Sequence, residues 1–401
     1  MKYEQELITY GQEHLMKHYQ TLSPEEQMEF ERQLDQTDWS IFEKDVSGEA
    51  QQGEIAPIRG RSLAEIAEHR EEYVAEGQAA IKQGKLAAVL LAGGQGTRLG
   101  SSAPKGAFDI GVTRSLYIFQ QQIYNLLEVC DSCGAFVPLL IMTSEKNDVE
   151  TRAFLREHNY FGYPAEYIRF FVQDSAPCID FDGKILLEAR GKIALSPNGN
   201  GGWYSSLVRA GLLNDELLQN VAWFNVFAVD NVLQRIADPV FLGATLLSGC
   251  KCGAKVVKKC CPEERAGVLC LRGGLPDVVE YYEMDEETAA LRDGEELLYR
   301  YGVILNYLFD AETLQRTLSC KFLLHRAKKK VPYLQDGETV IPQTENAYKS
   351  ETLILDMVRL AGSCLPFEVV REREFAPVKN KTGVDSVETA RILLQQNGVT
   401  L

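Results

Sequence analysis

No stretch of the 401-residue chain approaches the roughly 18 consecutive apolar residues that a membrane-spanning helix needs. The first residues, MKYEQELITYGQEHL, are polar and acidic and contain no apolar signal core. These absences predict a cytoplasmic protein with no membrane partner. Basic excess is missing too: 42 Lys and Arg against 57 Asp and Glu give a formal charge of −15. A phosphate backbone needs a basic footprint, so nucleic acid is excluded as a partner. Small anionic substrates need only a local cluster of cations and stay open. Histidine is scarce, with five scattered residues. That weighs against zinc at Cys130-x-x-Cys133, Cys250-x-Cys252 or Cys260-Cys261, since no matching second pair stands at ribbon spacing. The ten cysteines read as reduced, structural thiols. Internal repeats and low-complexity tracts are also lacking.

What is present is ordinary in bulk, with 45% hydrophobic and 25% charged residues. Residues 1–84 read as a helical region. Ser23-Pro24-Glu25-Glu26 is a helix start with a capping box. Residues 43–60 read as a loop, and 62–84 as an amphipathic helix stopped by Gly84. From 86 onward, short apolar strands (86–91, 136–143, 167–172, 222–229, 253–258) alternate with helices (115–128, 146–158, 203–213, 239–248). Such alternation predicts an α/β core, residues 85–330, with a mainly parallel mixed sheet covered by helices on both faces. Residues 266–283 read as a hairpin turning at Gly273-Gly274. The part from 331 to 401 reads as small and α+β: a hairpin at Asp336-Gly337, a helix over 349–361, a strand over 366–370 and a helix over 386–397.

The chemistry concentrates after the first of these strands. In LAAVLLAGGQGTRLGSSAPKG (86–106), the apolar run ends at Leu91 and Ala92, and glycines follow at 93, 94, 96 and 100. Arg98 and Lys105 supply two cations. A buried strand, bare backbone and nearby positive charge make a phosphate-handling loop. It is not a Walker loop, because no Lys-Ser or Lys-Thr follows the glycines. A dinucleotide fingerprint is a near miss: Gly94, Gly96 and Gly100 put the third glycine one position late, and Pro104 obstructs the required helix. Asp230 ends a second apolar strand and reads either as a helix cap or as a Mg²⁺ ligand. Gln173 ends the strand RFFV, where a primary amide can pair with the donor–acceptor edge of uracil.

The Gly-rich stretch resembles the signature of the eukaryotic-type UDP-sugar pyrophosphorylases, above all the UDP-N-acetylhexosamine pyrophosphorylases. The resemblance continues through FFVQ (170–173), FDGKILLE (181–188), SPNGNGGWY (196–204), AVDN (228–231) and DP (238–239). It goes on in CGAKVVKK (252–259), VVEYYE (278–283) and REREFAPVKN (371–380). It implies a nucleotidyltransferase core of the GT-A, Rossmann-like type. The implied reaction is UTP plus a sugar 1-phosphate giving a UDP-sugar and pyrophosphate, with N-acetylglucosamine 1-phosphate preferred. The resemblance also implies roles. Leu91, Ala92, Gly93, Gly94 and Gly96 meet the nucleotide, and Arg98 and Lys105 the pyrophosphate and the α-phosphate. Asp230 holds Mg²⁺. Gln173 and Gly199 read uracil, and Asn200 contacts substrate. Lys349 touches UTP and Lys379 grips the sugar phosphate, so the C-terminal part is expected to close over the cleft. Gly267, Glu280, Tyr281 and Asn306 line the sugar.

One departure bears on the sugar. Where the N-acetylhexosamine enzymes carry Gly-Asn-Ile, this chain reads Gly302-Val303-Ile304. A valine cannot replace an amide that donates and accepts hydrogen bonds. Glucose 1-phosphate, or a broad set of hexose phosphates, is therefore the rival substrate, and a non-catalytic UDP-sugar sensor is the rival class. A short C-terminus relative to many family members leaves a monomer or weak homo-oligomer as the expectation.

Overall fold

Six apolar residues, Leu86–Leu91, form a strand buried along its whole length, as a central strand covered on both faces must be. The structure is a computed structural model that describes every residue except 1, 36, 38, 43–52 and 321. It divides into two compact units. The larger comprises Gln52–Val172, Tyr204–Cys320 and Met357–Leu401. The smaller comprises Met1–Gln51, Gln173–Trp203 and Lys321–Asp356.

The larger unit is built on a 10-stranded mixed sheet. Its main strands are β1 (Leu86–Leu91), β2 (Leu139–Thr143), β3 (Ile168–Val172), β4 (Trp223–Ala228), β5 (Cys252–Lys258), β6 (Val268–Arg272), β7 (Leu275–Val279), β8 (Tyr301–Asp310) and β9 (Cys364–Glu368). The row β4-β1-β2-β3 is parallel. Beyond β4 the sheet turns antiparallel, through β8 to β5, β6 and β7, while β9 lies parallel to β5. The sheet is thus mixed rather than mainly parallel. The reason is the long β8, which runs antiparallel to both β4 and β5. At Leu305 the β8 backbone adopts φ +54, and its register with β5 shifts between Ala254 and Val256. That is a bulge.

Helices α1 (Arg70–Lys82), α2 (Ile118–Cys133), α3 (Asp148–Glu157), α4 (Pro239–Ser248) and α5 (Val387–Gln396) follow the apolar periodicity of the sequence. Asp238 caps α4, accepting from Val240 N–H, with Pro239 in the first turn. Gly134 and Gly249, both left-handed, close α2 and α4.

The smaller unit joins helices Glu4–Thr9, Glu13–Tyr19 and Pro24–Asp35 to short strands. Ser23 N–H donates to Glu26 at 2.7 Å and Glu26 N–H to Ser23 at 3.3 Å, which completes the capping box. Leu7, Leu15, Phe30 and Leu34 pack on Ile179, Ile185 and Ile193. A three-stranded sheet runs His325–Lys329, Ala347–Glu351, Ile179–Asp180.

The unit boundaries differ from the expected ones at 84 and 330. Residues 53–84 go with the larger unit because α1 packs along α4. The 331–401 part is divided between the units, because Ala347–Glu351 pairs with His325–Lys329 whereas Cys364–Glu368 pairs with β5. The helix expected over 349–361 begins only at Ile354. The loop expected over 43–60 lies outside the described residues as far as 52. Among the described residues, no helix is long and apolar enough to cross a membrane.

Candidate functional site

In the larger unit, β1 and β4 are adjacent and parallel, with Leu91 opposite Ala228. The Gly-rich loop and Asp230 therefore leave neighbouring strand ends. Ser144 and Asn147, just past β2, hold the loop. Asn147 Nδ2 donates to Ala92 O at 2.9 Å and to Gly94 O at 3.3 Å. Ser144 Oγ donates to Gly93 O at 2.8 Å. With these three carbonyls turned toward Ser144 and Asn147, the backbone N–H groups of Gly93 and Gly94 can face an anion, whereas those of Ala92 and Gly96, also expected to meet the nucleotide, are engaged with Met142 O and Ala103 O.

The loop then doubles back. Gly96 N–H donates to Ala103 O at 3.0 Å and Lys105 N–H to Gly94 O at 3.2 Å. At position 106 a side chain would have to displace the Phe119 ring, since a Cβ would lie 2.3 Å from it. This packing seats Lys105. Its Nζ is 3.9 Å from Asp230 Oδ2, with side-chain exposures of 17% and 22%. Burial pushes the Lys105 ammonium below the usual lysine range; Asp230 opposes that shift, and the charges of Lys379 and Arg98 add to it. The structure thus brings Arg98, Lys105, Asp230 and Lys379 into one electrostatic cluster. Arg98 is exposed, and Lys379 Nζ rests on Asp385 at 3.0 Å.

The expected sugar residues lie where β6, β7 and β8 meet. Val303 N–H donates to Gly267 O at 2.9 Å. A Cβ on Gly267 would stand 2.9 Å from Val278, 3.5 Å from Val303 and 3.6 Å from the Glu280 carboxyl carbon. Gly267, Glu280 and Val303 therefore form one patch. Tyr281 is exposed at its rim, with the Arg265 guanidinium 5.9 Å from its ring centre. Asn306 differs from expectation. It is fully buried, accepting from Asn225 Nδ2 at 2.8 Å and donating to Gln234 Oε1 at 3.3 Å. Its amide is engaged inside the protein.

In the smaller unit, Gln173 Nε2 donates to Gly199 O at 2.6 Å. Gly199 has φ +89, and a Cβ there would lie 2.2 Å from Thr352 O; only glycine fits. Asn200 Oδ1 accepts from Ile354 N–H at 2.9 Å. Lys349 is half-buried, opposite Ala327. Gln173, Gly199 and Asn200 are thus held in one place by the 352–354 turn.

A model of the UTP–glucose-1-phosphate uridylyltransferase family matches residues 36–399. The chain belongs to that family. It is 42% identical over 346 residues to UDP-N-acetylhexosamine pyrophosphorylase-like protein 1 of Homo sapiens, covering 83% of this chain and 68% of that protein. Against UDP-N-acetylglucosamine diphosphorylase 1 of Arabidopsis thaliana it is 37% identical over 421 residues, covering 97% and 81%. The crystal structure of the uridine diphosphate N-acetylglucosamine pyrophosphorylase from Trypanosoma brucei, in complex with inhibitor, has a TM-score of 0.80 at 28% identity. That likeness covers 98% of this chain and 83% of the other.

In this uridylyltransferase family member, sequence reasoning missed Ser144 and Asn147. The signal was Ser and Asn directly after an apolar strand, the residues that most readily bond nearby backbone. It also missed Gln122, whose Nε2 donates to Asn231 O at 2.6 Å and so holds the loop bearing Asp230.

Proposed function

We propose that this chain transfers the uridylyl group of UTP to N-acetylglucosamine 1-phosphate, releasing pyrophosphate. The observation that carries this reading is the cluster of Lys105, Asp230, Lys379 and Arg98 beside the Gly-rich loop. A phosphate oxygen of the sugar phosphate attacks the α-phosphorus of UTP, and the bond from that phosphorus to the bridging oxygen of pyrophosphate breaks. The nucleophile is already an anion, so no general base is needed. Alignment and charge neutralisation are what the protein must supply. The loop N–H groups receive the nucleotide phosphates, Arg98 and Lys105 meet the charge that grows on them, and Lys379 leaves Asp385 for the incoming sugar phosphate.

Magnesium fits this arrangement. Among the described residues, no group of three or more His, Cys, Asp or Glu gathers to hold a metal. One half-exposed carboxylate, Asp230, is the pattern for an ion that takes its other ligands from phosphate and water. Bound there, Mg²⁺ would neutralise phosphate charge. In the smaller unit, Gln173 Nε2 is spent on Gly199 O, so a uracil N–H would meet the Gln173 amide at its Oε1, beside the Gly199 backbone, and Lys349 is a cation for UTP. Glu280 accepts sugar hydroxyls. These assignments accord with a core of the GT-A type. We place the activity in the cytoplasm, where ten unbridged cysteines stay reduced.

Val303 favours a second reading. With no amide at that position in the Gly267–Glu280 patch, glucose 1-phosphate is the rival substrate. Pyrophosphate release from UTP and Mg²⁺, with the two sugar phosphates in parallel, tests both. Turnover of the N-acetyl sugar at least about tenfold faster supports the first reading, and the reverse ratio the second. Silence with both, alongside tight UDP-sugar binding, would support a sensor.

A further inference from the structure

Three separate stretches of the sequence meet at one buried ammonium. Lys255, from CGAKVVKK, stands on β5 with a fully buried side chain. Its Nζ donates to Arg235 O at 3.0 Å, Asp238 Oδ2 at 3.0 Å and Glu374 Oε2 at 2.5 Å. All three of its N–H bonds are therefore used. Asp238 is the cap of α4, and Glu374 also accepts from Arg235 N–H at 3.3 Å.

On its other side, Glu374 opens a segment that runs antiparallel to the Asp230 loop. Asn231 Nδ2 donates to Glu374 O at 2.7 Å, and Asn231 Oδ1 accepts from Ala376 N–H at 2.9 Å. Val232 N–H donates to Ala376 O at 3.2 Å and Val378 N–H to Asp230 O at 2.8 Å. Asp230 and Lys379 stand together at the end of this short ladder. Its opposite end is tied, through Glu374 and the 235–238 turn, to Lys255.

Packing does not account for this ammonium. Apolar side chains of similar volume commonly serve stability as well as a buried ion pair. A directional donor does what methyl groups cannot, which is to fix two loops at a defined separation. We propose that Lys255 is a positioning residue that sets Asp230 and Lys379 against each other for phosphate transfer. It touches no substrate itself. The proposal rests on the uridylyl-transfer reading and adds a residue behind it.

The test uses the full chain as wild type, Lys255→Met, and Lys255→Met combined with Glu374→Met. The double variant removes the ammonium together with one of the two carboxylates it would leave stranded; the other, Asp238, keeps the Val240 N–H and has the Arg235 guanidinium 3.5 Å away. Melting temperature, amide hydrogen exchange at Ala376 and Val378, and kcat and KM for pyrophosphate release are measured. Lys255→Met is expected to melt lower, and the double variant to regain part of that loss. Despite this recovery, the double variant should keep kcat down about a hundredfold and KM for the sugar 1-phosphate up about tenfold. Its KM for UTP should stay within about twofold. Its Ala376 and Val378 amides should exchange at least about tenfold faster.

Recovery of kcat together with melting temperature would make Lys255 a structural residue and overturn the proposal. So would unchanged exchange at both amides. If the methionine variants fail to fold, Glu374→Gln, which keeps volume and an accepting oxygen, is read by the same two criteria. A wild type silent with UTP and sugar phosphate would instead overturn the functional reading, and the amide exchange would still decide the role of Lys255.

Discussion

The proposed phosphate end of the larger unit and its proposed sugar edge are built differently. At the phosphate end, buried side chains lock nearly every backbone turn: Asn147 and Ser144 hold the Gly-rich loop, Gln122 and Asn231 the Asp230 loop, and Lys255 the segment leading to Lys379. The sugar edge is a hairpin and a bulged strand. Glu280 is half-buried there, and Tyr281 is 44% exposed. The groups proposed to act on phosphate thus stand on locked strand ends, where charge must be placed before it develops. The groups proposed to choose the sugar stand on a more open margin. Changes at the first should cost rate, and changes at the second should alter selectivity.

The contrast breaks most visibly at Lys105. Lys105→Ala should lower kcat by at least about a hundredfold with either sugar phosphate, as initial rates would show. Gly106→Ala strikes the same lysine through packing. With a Cβ 2.3 Å from the Phe119 ring, it should cost about 2 kcal/mol of stability in urea unfolding. Asn147→Ala leaves the Ala92 carbonyl without its Asn147 donor and the Gly94 carbonyl with only the Lys105 N–H. It should raise KM for UTP by about thirtyfold while the KM for sugar phosphate changes little. At the sugar edge, Val303→Asn should raise the kcat/KM ratio of N-acetylglucosamine 1-phosphate to glucose 1-phosphate by about fivefold, with kcat for the better substrate nearly unchanged. A large loss of kcat there would erase the distinction between the two regions.

The smallest effect belongs to the smaller unit. His18 Nε2 accepts from Gly191 N–H at 3.1 Å, which requires an unprotonated nitrogen. Burial, assisted by Arg190, holds the His18 pKa below its usual 6.5. A lowered histidine pKa means that the unfolded chain binds the proton more readily. Stability is then fully present above pH 6.5 and is lost as pH falls toward the folded-state value. His18→Gln should remove about one or two degrees of the acid-side fall in melting temperature, measured by calorimetry.

Much of the larger unit could be read from the chain because its signals are local. Strand 86–91 is uniformly apolar, and α4 carries Asp-Pro at its start and Gly at its end, so both match the structure residue for residue. Where partners are distant, local reading fails. Residues 349–351 have no strong strand pattern, and pairing with His325–Lys329 decides their conformation. The units are assembled from three segments each, so no linker composition marks their borders.

The same division runs through the site. The Gly-rich loop and Asp230 announce themselves as strand ends. The family resemblance makes Asn306 a sugar contact, yet its burial against Asn225 and Gln234 depends on residues 81 and 72 positions away. Lys255 and Glu374 are 119 residues apart, and no spacing rule connects them.

We propose that the Lys105–Asp230–Lys379 cluster exchanges a uridylyl group between two phosphates. Phosphorus NMR of UDP-N-acetylglucosamine with pyrophosphate and Mg²⁺ tests it most directly, because every bond made and broken is seen. Wild type should convert the nucleotide sugar to UTP and N-acetylglucosamine 1-phosphate, and Asp230→Asn should do so at least about a hundredfold more slowly. Unchanged UDP-sugar signals in the presence of wild type, or equal conversion by Asp230→Asn, would contradict the account.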